Sequence, residues 1–262
     1  MYTNIINDDF DKCWLNYRKI NNKDLIKDYE NFSFNLIKKG NFKILNTALE
    51  ELITGLDKML NQKPIVHTDI NDSSGIIIGK FSDLCISYTD ILFDKDMVKN
   101  DGYLIKTIMY NNKKFILISA NKDIGILYGT YHFLRLIQME LNINNLSIVE
   151  NSSIKLRMLN HWDNIDGTIE RGYSGNSIFF CNDIAEPNER ILYYARLLSS
   201  IGINSITLNN VNVRGEENYF ITEKYLYKIN KLANVFRCFG IKIYLSINFA
   251  SPVKIGNLEN AD

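Results

Sequence analysis

RMLNHWDNIDGTIERGYSGNSIFF, Arg157 to Phe180, opens apolar and then turns polar and aromatic at once. Leu156 to Leu159 has the make-up of a short buried strand. Asn160, His161, Trp162, Asp163 and Asn164 follow without a break, and then a loop with Gly167, Glu170, Arg171, Gly172, Tyr173 and Gly175. Buried backbone that ends in a crowd of amides, carboxylates and one indole is how a parallel strand delivers ligand contacts at its C-terminal end. The glycines mark sharp turns or close backbone approaches.

Downstream of this stretch the pattern is strand–helix alternation. Strands are expected at Leu156–Asn160, Ser205–Val211 and Lys242–Phe249, and helices at about Asn188–Ser200 and Thr222–Phe239. Gly202 and Gly240 fall where left-handed helix caps belong, and each leads quickly into the next strand. This is (β/α) repetition, as at the start of a TIM barrel. A closed barrel takes roughly 250 residues and eight strands, so residues 151–262 are expected to hold an incomplete one with three strands. Alternation along the strands puts Ile206, Leu208, Ile243, Leu245 and Ile247 toward the helices. It puts Asn160, Trp162, Asn209, Val211 and Asn248 near the C-terminal mouth.

Upstream, residues 1–150 predict a separate small α/β sandwich with helices on one side of a sheet. Residues 1–40 are mixed and are expected to be irregular apart from one short strand. Phe42 to Leu60 carries Leu45, Ala48, Leu49, Leu52, Ile53, Leu56 and Leu60 at helical spacing. Gly75–Gly79 predicts a buried strand, and Ile86–Ile91 a helical or irregular crossing. Tyr103–Met109 and Phe115–Ala120 flank Asn111-Asn112 as a hairpin. Asp123 is expected to cap a helix reaching about Glu140, with Gly125 and Gly129 leaving one face bare for close packing. Ser147–Glu150 predicts a last strand, and Asn151-Ser152-Ser153 a polar linker.

The 262 residues carry 30 basic and 30 acidic side chains, a formal net charge of zero. That argues against nucleic-acid and anionic-membrane partners, which need a basic patch. The N-terminus lacks the pattern of a secretory signal, and no apolar run is long enough for a bilayer, so a cytoplasmic protein is expected. Cys13, Cys85, Cys181 and Cys238 have no metal-like spacing and predict free, buried thiols. GxSxG, HExxH, P-loop and GxGxxG motifs are absent, which removes the matching hydrolase, zinc-protease and nucleotide readings.

Among candidate functional residues Trp162 stands first. An indole at a barrel mouth can wall a sugar pocket; the alternative is a core tryptophan. Asn160, Asn209 and Asn248 offer donors and acceptors suited to hydroxyl groups, or else bond loop backbone. Arg171 could hold a substrate carboxylate bidentately, although a structural ion pair with its neighbour Glu170 is the favoured reading. His161 and Asp163 suggest acid–base chemistry, but their parity favours scaffold roles.

Three blocks carry a resemblance: NHWDNIDGTIERGYSG from Asn160, YARLLSSIGINSITLNNVNV from Tyr194, and KIYLSINFASP from Lys242. In this order they resemble the family-67 glycoside hydrolases, the α-glucuronidases of xylan breakdown. The resemblance is strong from Asp101 on and weaker before it. GYLIKTIMYNNKKFILISANKDIGILYGTYHFLRLIQ, from Gly102, is similar to the hexosaminidase-like accessory domain that precedes such barrels. The resemblance implies an inverting hydrolase that removes (4-O-methyl)-α-D-glucuronic acid from xylo-oligosaccharides, without metal or cofactor. It implies that Trp162 lines the glucuronic acid pocket and that Val211 faces the methoxyl group. Inversion takes a carboxylic acid and a carboxylate base about 6.5–9.5 Å apart. In the family these follow later strands, so they are expected beyond Asp262, as is the C-terminal region through which relatives dimerise. By itself the chain is then expected to be inactive. The alternatives are a non-catalytic accessory fragment and another hexosaminidase-like barrel glycosidase; the NHWDN and LNNVNV blocks argue against the latter.

Overall fold

The computed structural model describes residues 13–33, 35–70, 73–87, 95–209, 215–257 and 259. The fold is mixed α/β and divides into two compact units, Met1–Lys155 and Leu156–Asp262.

The first unit is built on a six-stranded sheet. Its elements are α1 (Lys23–Ser33), β1 (Asn35–Lys39), α2 (Lys43–Leu60), β2 (Ile65–His67), β3 (Gly75–Lys80), α3 (Phe81–Ser87), β4 (Tyr103–Tyr110), β5 (Lys113–Ala120), α4 (Asp123–Gln138) and β6 (Ser147–Glu150). The strand order is β2-β1-β3-β5-β4-β6. The first four are parallel neighbours, and β4 runs antiparallel to both β5 and β6. Asn111 and Asn112 join β4 to β5 with φ of 49° and 60°, the left-handed pair that a two-residue hairpin turn demands.

Helix α2 exists because Leu45, Ala48, Leu52, Leu56 and Met59 recur on one face, and all are fully buried. Each large apolar side chain so buried stabilises the fold by roughly 1.5–3 kcal/mol before chain entropy is charged. Helix α4 lies close on the sheet. A Cβ at Gly125 would stand 2.3 Å from the Gly102 carbonyl oxygen, and one at Gly129 3.0 Å from Ile118 Cγ2. Gly55 of α2 meets Leu134 of α4 in the same way, at 2.7 Å.

Several expectations are corrected here. The sheet is covered on both faces, not one: Phe81 and Leu84 of α3 join Val98 against Ile37, Ile77, Phe115 and Leu117. Residues 23–33 are helical where irregular chain was expected. Asn22 Oδ1 accepts from the Asp24 and Leu25 N–H groups at 3.1 and 3.3 Å, and Tyr29 and Phe32 are buried three residues apart. Strand β2 was not foreseen. The Asp123 side chain does not cap α4; the capping position is Lys122, and Asp123 pairs with Lys80 at 3.1 Å. Cys13 and Cys181 are exposed, where burial was expected. The crossing expected at Ile86–Ile91 lies largely outside the described residues.

The second unit holds β7 (Met158–Asn160), α5 (Glu189–Ser200), β8 (Ser205–Thr207), α6 (Glu223–Cys238), β9 (Lys242–Tyr244) and α7 (Ser251–Gly256). β7, β8 and β9 pair in parallel in chain order, with Asn160 opposite Thr207 and Thr207 opposite Tyr244. Asn188 Oδ1 caps α5 by accepting from Ile191 N at 3.1 Å. Gly202 and Gly240 end the helices with φ of 83° and 70°, the left-handed closure glycine permits. The strands are shorter than expected. β9 ends at Tyr244, and two residues on the Ser246 backbone bonds the side chain of Asn209 instead of a ladder partner.

Among the described residues no helix is long and apolar enough to cross a membrane. Among them, too, no group of three His, Cys, Asp or Glu side chains is arranged to hold a metal.

Candidate functional site

The loop that follows β7 is ordered from within. Past Asn160 the chain forms a tight hairpin: Glu170 N donates to Trp162 O at 2.7 Å, and Asn164 N to Thr168 O at 2.9 Å. Asp163 pairs with Ile169 between them. Gly167 turns the corner with φ of 93°, which a side chain would strain. Asp166 Oδ1 accepts from Thr168 N at 2.8 Å and from its hydroxyl at 2.6 Å. Asn164 Nδ2 donates to Thr168 Oγ1 and to Glu170 O, both at 2.9 Å. The return limb is held by Phe179, Phe180 and Ile184, all buried. Lys228 and Lys231 of α6 pair with Asp183 and Glu186 beyond them.

His161 and Asp163 face inward. The Thr207 carbonyl receives two hydrogen bonds from His161, one from its backbone N–H at 3.0 Å and one from the ring at Nδ1, 2.9 Å. Because a carbonyl only accepts, Nδ1 carries the proton. Nε2 therefore accepts from the Tyr194 hydroxyl of α5 at 2.6 Å. Burial holds the His161 pKa below the ordinary imidazole value, opposed by its bond to Thr207 and by the charge of Asp163. Burial, with Asp163 second, pushes the Tyr194 hydroxyl up to about 12. The same burial raises the Asp163 carboxyl, against the Ser177 hydroxyl that donates to it. Ser177 Oγ in turn accepts from the N–H groups of Phe179 and Phe180, both at 3.0 Å. These bonds tie β7, β8, α5 and the return limb together, which is scaffold work.

Trp162 lies between these two anchors with the opposite parity, and is 43% exposed. It shares the sheet face of Asn160, Thr207 and Tyr244. Asn160 is exposed at the end of β7. Asn209 is placed differently: it is 2% exposed, and its amide spans to Ser246, donating to the carbonyl at 3.0 Å and accepting from the N–H at 3.1 Å. Asn248 Oδ1 accepts from Ala250 N at 2.8 Å in the approach to α7. Glu170 has a left-handed backbone, φ 58°, and its carboxylate accepts from Ser174 Oγ at 3.3 Å. Its bond to Tyr173 raises that phenol's pKa. Arg171 is exposed, and among the described residues no ion pair joins it to Glu170. Val211 lies outside the described residues. Tyr194, Ser177 and Thr207 were not singled out from the sequence as site residues, although all three hold the loop in place.

Comparison with known proteins agrees with this geometry in placing the chain. Residues 13–133 match the profile described as Glycosyl hydrolase family 67 N-terminus, and residues 136–262 that of the Glycosyl hydrolase family 67 middle domain. The chain belongs to glycosyl hydrolase family 67. It is 33% identical over 220 residues to a "Probable alpha-glucuronidase A" of Aspergillus fumigatus, covering 82% of this chain and 25% of that protein. It is 31% identical over 228 residues to "Alpha-glucuronidase A" of Emericella nidulans, covering 83% and 26%. The chain thus spans about a quarter of the length of these curated relatives. Among solved structures, a family GH115 4-O-methyl-α-glucuronidase, BtGH115A, superposes with a TM-score of 0.56 at 14% identity, over 85% of this chain and 30% of that one. CpGH84D superposes with a TM-score of 0.52 at 14% identity, over 82% and 34%. At such identities these two likenesses concern the fold alone.

Proposed function

We propose that this chain supplies the sugar-facing wall of an α-glucuronidase, an inverting hydrolase that releases (4-O-methyl)-D-glucuronic acid from xylo-oligosaccharides. Residues 1–150 then serve as the accessory domain and residues 151–262 as the first three β/α units of a TIM barrel, working in the cytoplasm. Family membership and the names of the relatives support the reaction class. One observation carries the site: Trp162 is half-exposed at a strand end while the residues on either side of it are bonded into the scaffold. An indole so presented offers a flat apolar face to a sugar ring. Exposed Asn160 on the same face offers both a donor and an acceptor to hydroxyl groups. Asn248, Arg171 and Glu170 stand in the same proposal as loop contacts, and Val211 as the residue that faces the methoxyl group. We assign the acid and base roles that inversion requires to none of these residues. Dimerisation, as in full-length relatives, is likewise a proposal.

The test is Trp162→Ala in this chain joined to the remaining family 67 sequence. Loss of one pocket contact should lower kcat/KM by about 1–3 kcal/mol in transition-state terms. A core tryptophan would instead cost about 3–5 kcal/mol of stability. A large fall in melting temperature with kcat/KM unchanged for the folded enzyme would overturn the assignment.

A further inference from the structure

Trp162 is a single residue between two polar anchors that reach different elements, half-buried His161 and buried Asp163. His161 fastens its N-terminal side to β8 through the Thr207 carbonyl and to α5 through the Tyr194 hydroxyl. Asp163 fastens its C-terminal side to Ser177, whose oxygen also collects two backbone N–H groups. The Trp162 carbonyl is itself bonded to Glu170 N at 2.7 Å. Aromatic edges complete the clamp: the His161 ring stands 5.0 Å from Phe179 and 5.6 Å from Tyr194 between centroids, both steeply inclined. The bonds that tie the scaffold together thus also fix the backbone on both sides of one exposed indole, which is what placing it requires.

We propose that His161, with Tyr194, and Asp163, with Ser177, are positioning residues that fix the Trp162 indole as a rigid wall of the sugar site. The proposal rests on the reading of Trp162 as a sugar contact. His161 acts here as a neutral hydrogen-bonded strut with Nδ1 protonated, not as an acid or base. Rigid placement matters because a wall that must be ordered on binding loses affinity to the ordering, and a displacement of about 1 Å can cost up to 10²-fold in rate.

The sequence has two tryptophans, so Trp14→Phe in the chain 1–262 leaves Trp162 as the only indole. Three variants are made in that background. Tyr194→Phe removes only the hydroxyl and keeps the ring packing. His161→Asn keeps a donor near the Nδ1 position, and His161→Ala removes both bonds. Time-resolved anisotropy and acrylamide quenching read the indole's freedom, circular dichroism melts report folding, and glucuronic acid titrations of the same variants in the chain joined to the remaining family 67 sequence read binding. Expected is an indole that grows more mobile and more quenchable from the parent through His161→Asn to His161→Ala. Tyr194→Phe should loosen it with the melt nearly unchanged, and glucuronic acid affinity should fall in step by roughly tenfold. An indole equally rigid in Tyr194→Phe and His161→Ala would overturn the proposal, and Tyr194→Phe decides it if His161→Ala does not fold. So would a loosened indole that binds glucuronic acid as tightly as the parent, and that result would leave the sugar reading intact. A joined chain that binds glucuronic acid as well with Trp162→Ala as without it, while the indole still loosens in the variants, would sink the sugar reading and leave only the mechanical clamp.

Discussion

Asn209→Ala separates a brace from a ligand contact. The Asn209 side chain is 2% exposed and makes two hydrogen bonds with the Ser246 backbone, at 3.0 and 3.1 Å. A buried intramolecular hydrogen bond contributes about 0.5–1.5 kcal/mol net. Ser246 is only part-buried, so water can reach its freed N–H and carbonyl and no further desolvation penalty is added. Alanine at this position should therefore cost about 2 kcal/mol, a loss on the order of 10 °C in melting temperature for a unit of this size. Asn209→Asp should cost a comparable amount, because it keeps the acceptor for Ser246 N but sets a carboxylate oxygen against Ser246 O. The assay is thermal and urea unfolding followed through Trp162 in the Trp14→Phe chain, since that indole reports on the second unit. If the transition is unmoved in both variants while glucuronic acid binding is lost, Asn209 is a sugar contact and the bracing argument is refuted.

The His161 pKa is depressed by burial, so between that depressed value and about 6.5 the folded protein holds fewer protons than the unfolded chain. Stability therefore rises with pH across this window and is lost as pH falls through it. His161→Asn should shrink the loss of melting temperature between about pH 7.5 and pH 5.5; His132, depressed the same way, titrates in both proteins and cancels. An identical slope in the variant would show that His161 does not titrate on unfolding. Gly125→Ala should destabilise the first unit by about 1–3 kcal/mol, because its Cβ would meet the Gly102 carbonyl at 2.3 Å, backbone that cannot swing away. Gly129→Ala meets side chains instead of backbone, Ile118 Cγ2 at 3.0 Å and Tyr103 Cβ and Cδ2 at 3.3 Å, and the helix gains about 0.8–1.0 kcal/mol in propensity, so its melt should be nearer that of the parent than the Gly125→Ala melt. Equal melts for the two glycine variants would contradict the close-packing argument.

The elements legible in the sequence are those whose pattern is local and repeated. Helix α2 shows its buried face over several turns, and the Asn111-Asn112 turn names its own hairpin. Gly202 and Gly240 mark the ends of α5 and α6 so plainly that the β/α repetition follows. What escaped is short. Helix α3 has only seven residues, about two turns, too few to define a period. Strand β2 has three residues and is exposed or half-exposed, so burial leaves no alternation to detect. Helix α1 could have been found from Asn22 and the Ile26–Tyr29–Phe32 spacing, but lysines and aspartates dilute its apolar face. The side of the sheet that a helix covers is a tertiary fact, which is why one covered face was expected and two are found.

The loop after β7 shows a different limit. Its residue types stand together in sequence, but the partners that decide their roles do not. His161 is defined by Thr207 and Tyr194, 46 and 33 residues away. Asp163 is defined by Ser177, and nothing in the string says which serine closes the loop. Strand parity puts Asn160 and Asn209 at the same mouth, yet one is exposed and the other is sealed. The difference lies in the neighbouring strand. A β9 running to Phe249 would bond Ser246 within a ladder and leave the Asn209 amide free for a ligand. Because β9 ends at Tyr244, Ser246 N–H and C=O lie outside the ladder, and the buried Asn209 amide, which itself needs partners, takes one acceptor and one donor from them. The length of one strand thus sets the role of an asparagine on the next, and a strand's end is among the least local features of its sequence. The same reasoning makes Asn160 the stronger partner for Trp162: β7 is an edge strand of the described sheet, and its last side chain is exposed. An Asn160→Ala substitution in the chain joined to the remaining family 67 sequence should then raise KM while leaving the stability within about 0.5 kcal/mol of the parent. A fall in melting temperature as large as that of Asn209→Ala, with KM unchanged, would place Asn160 among the braces too.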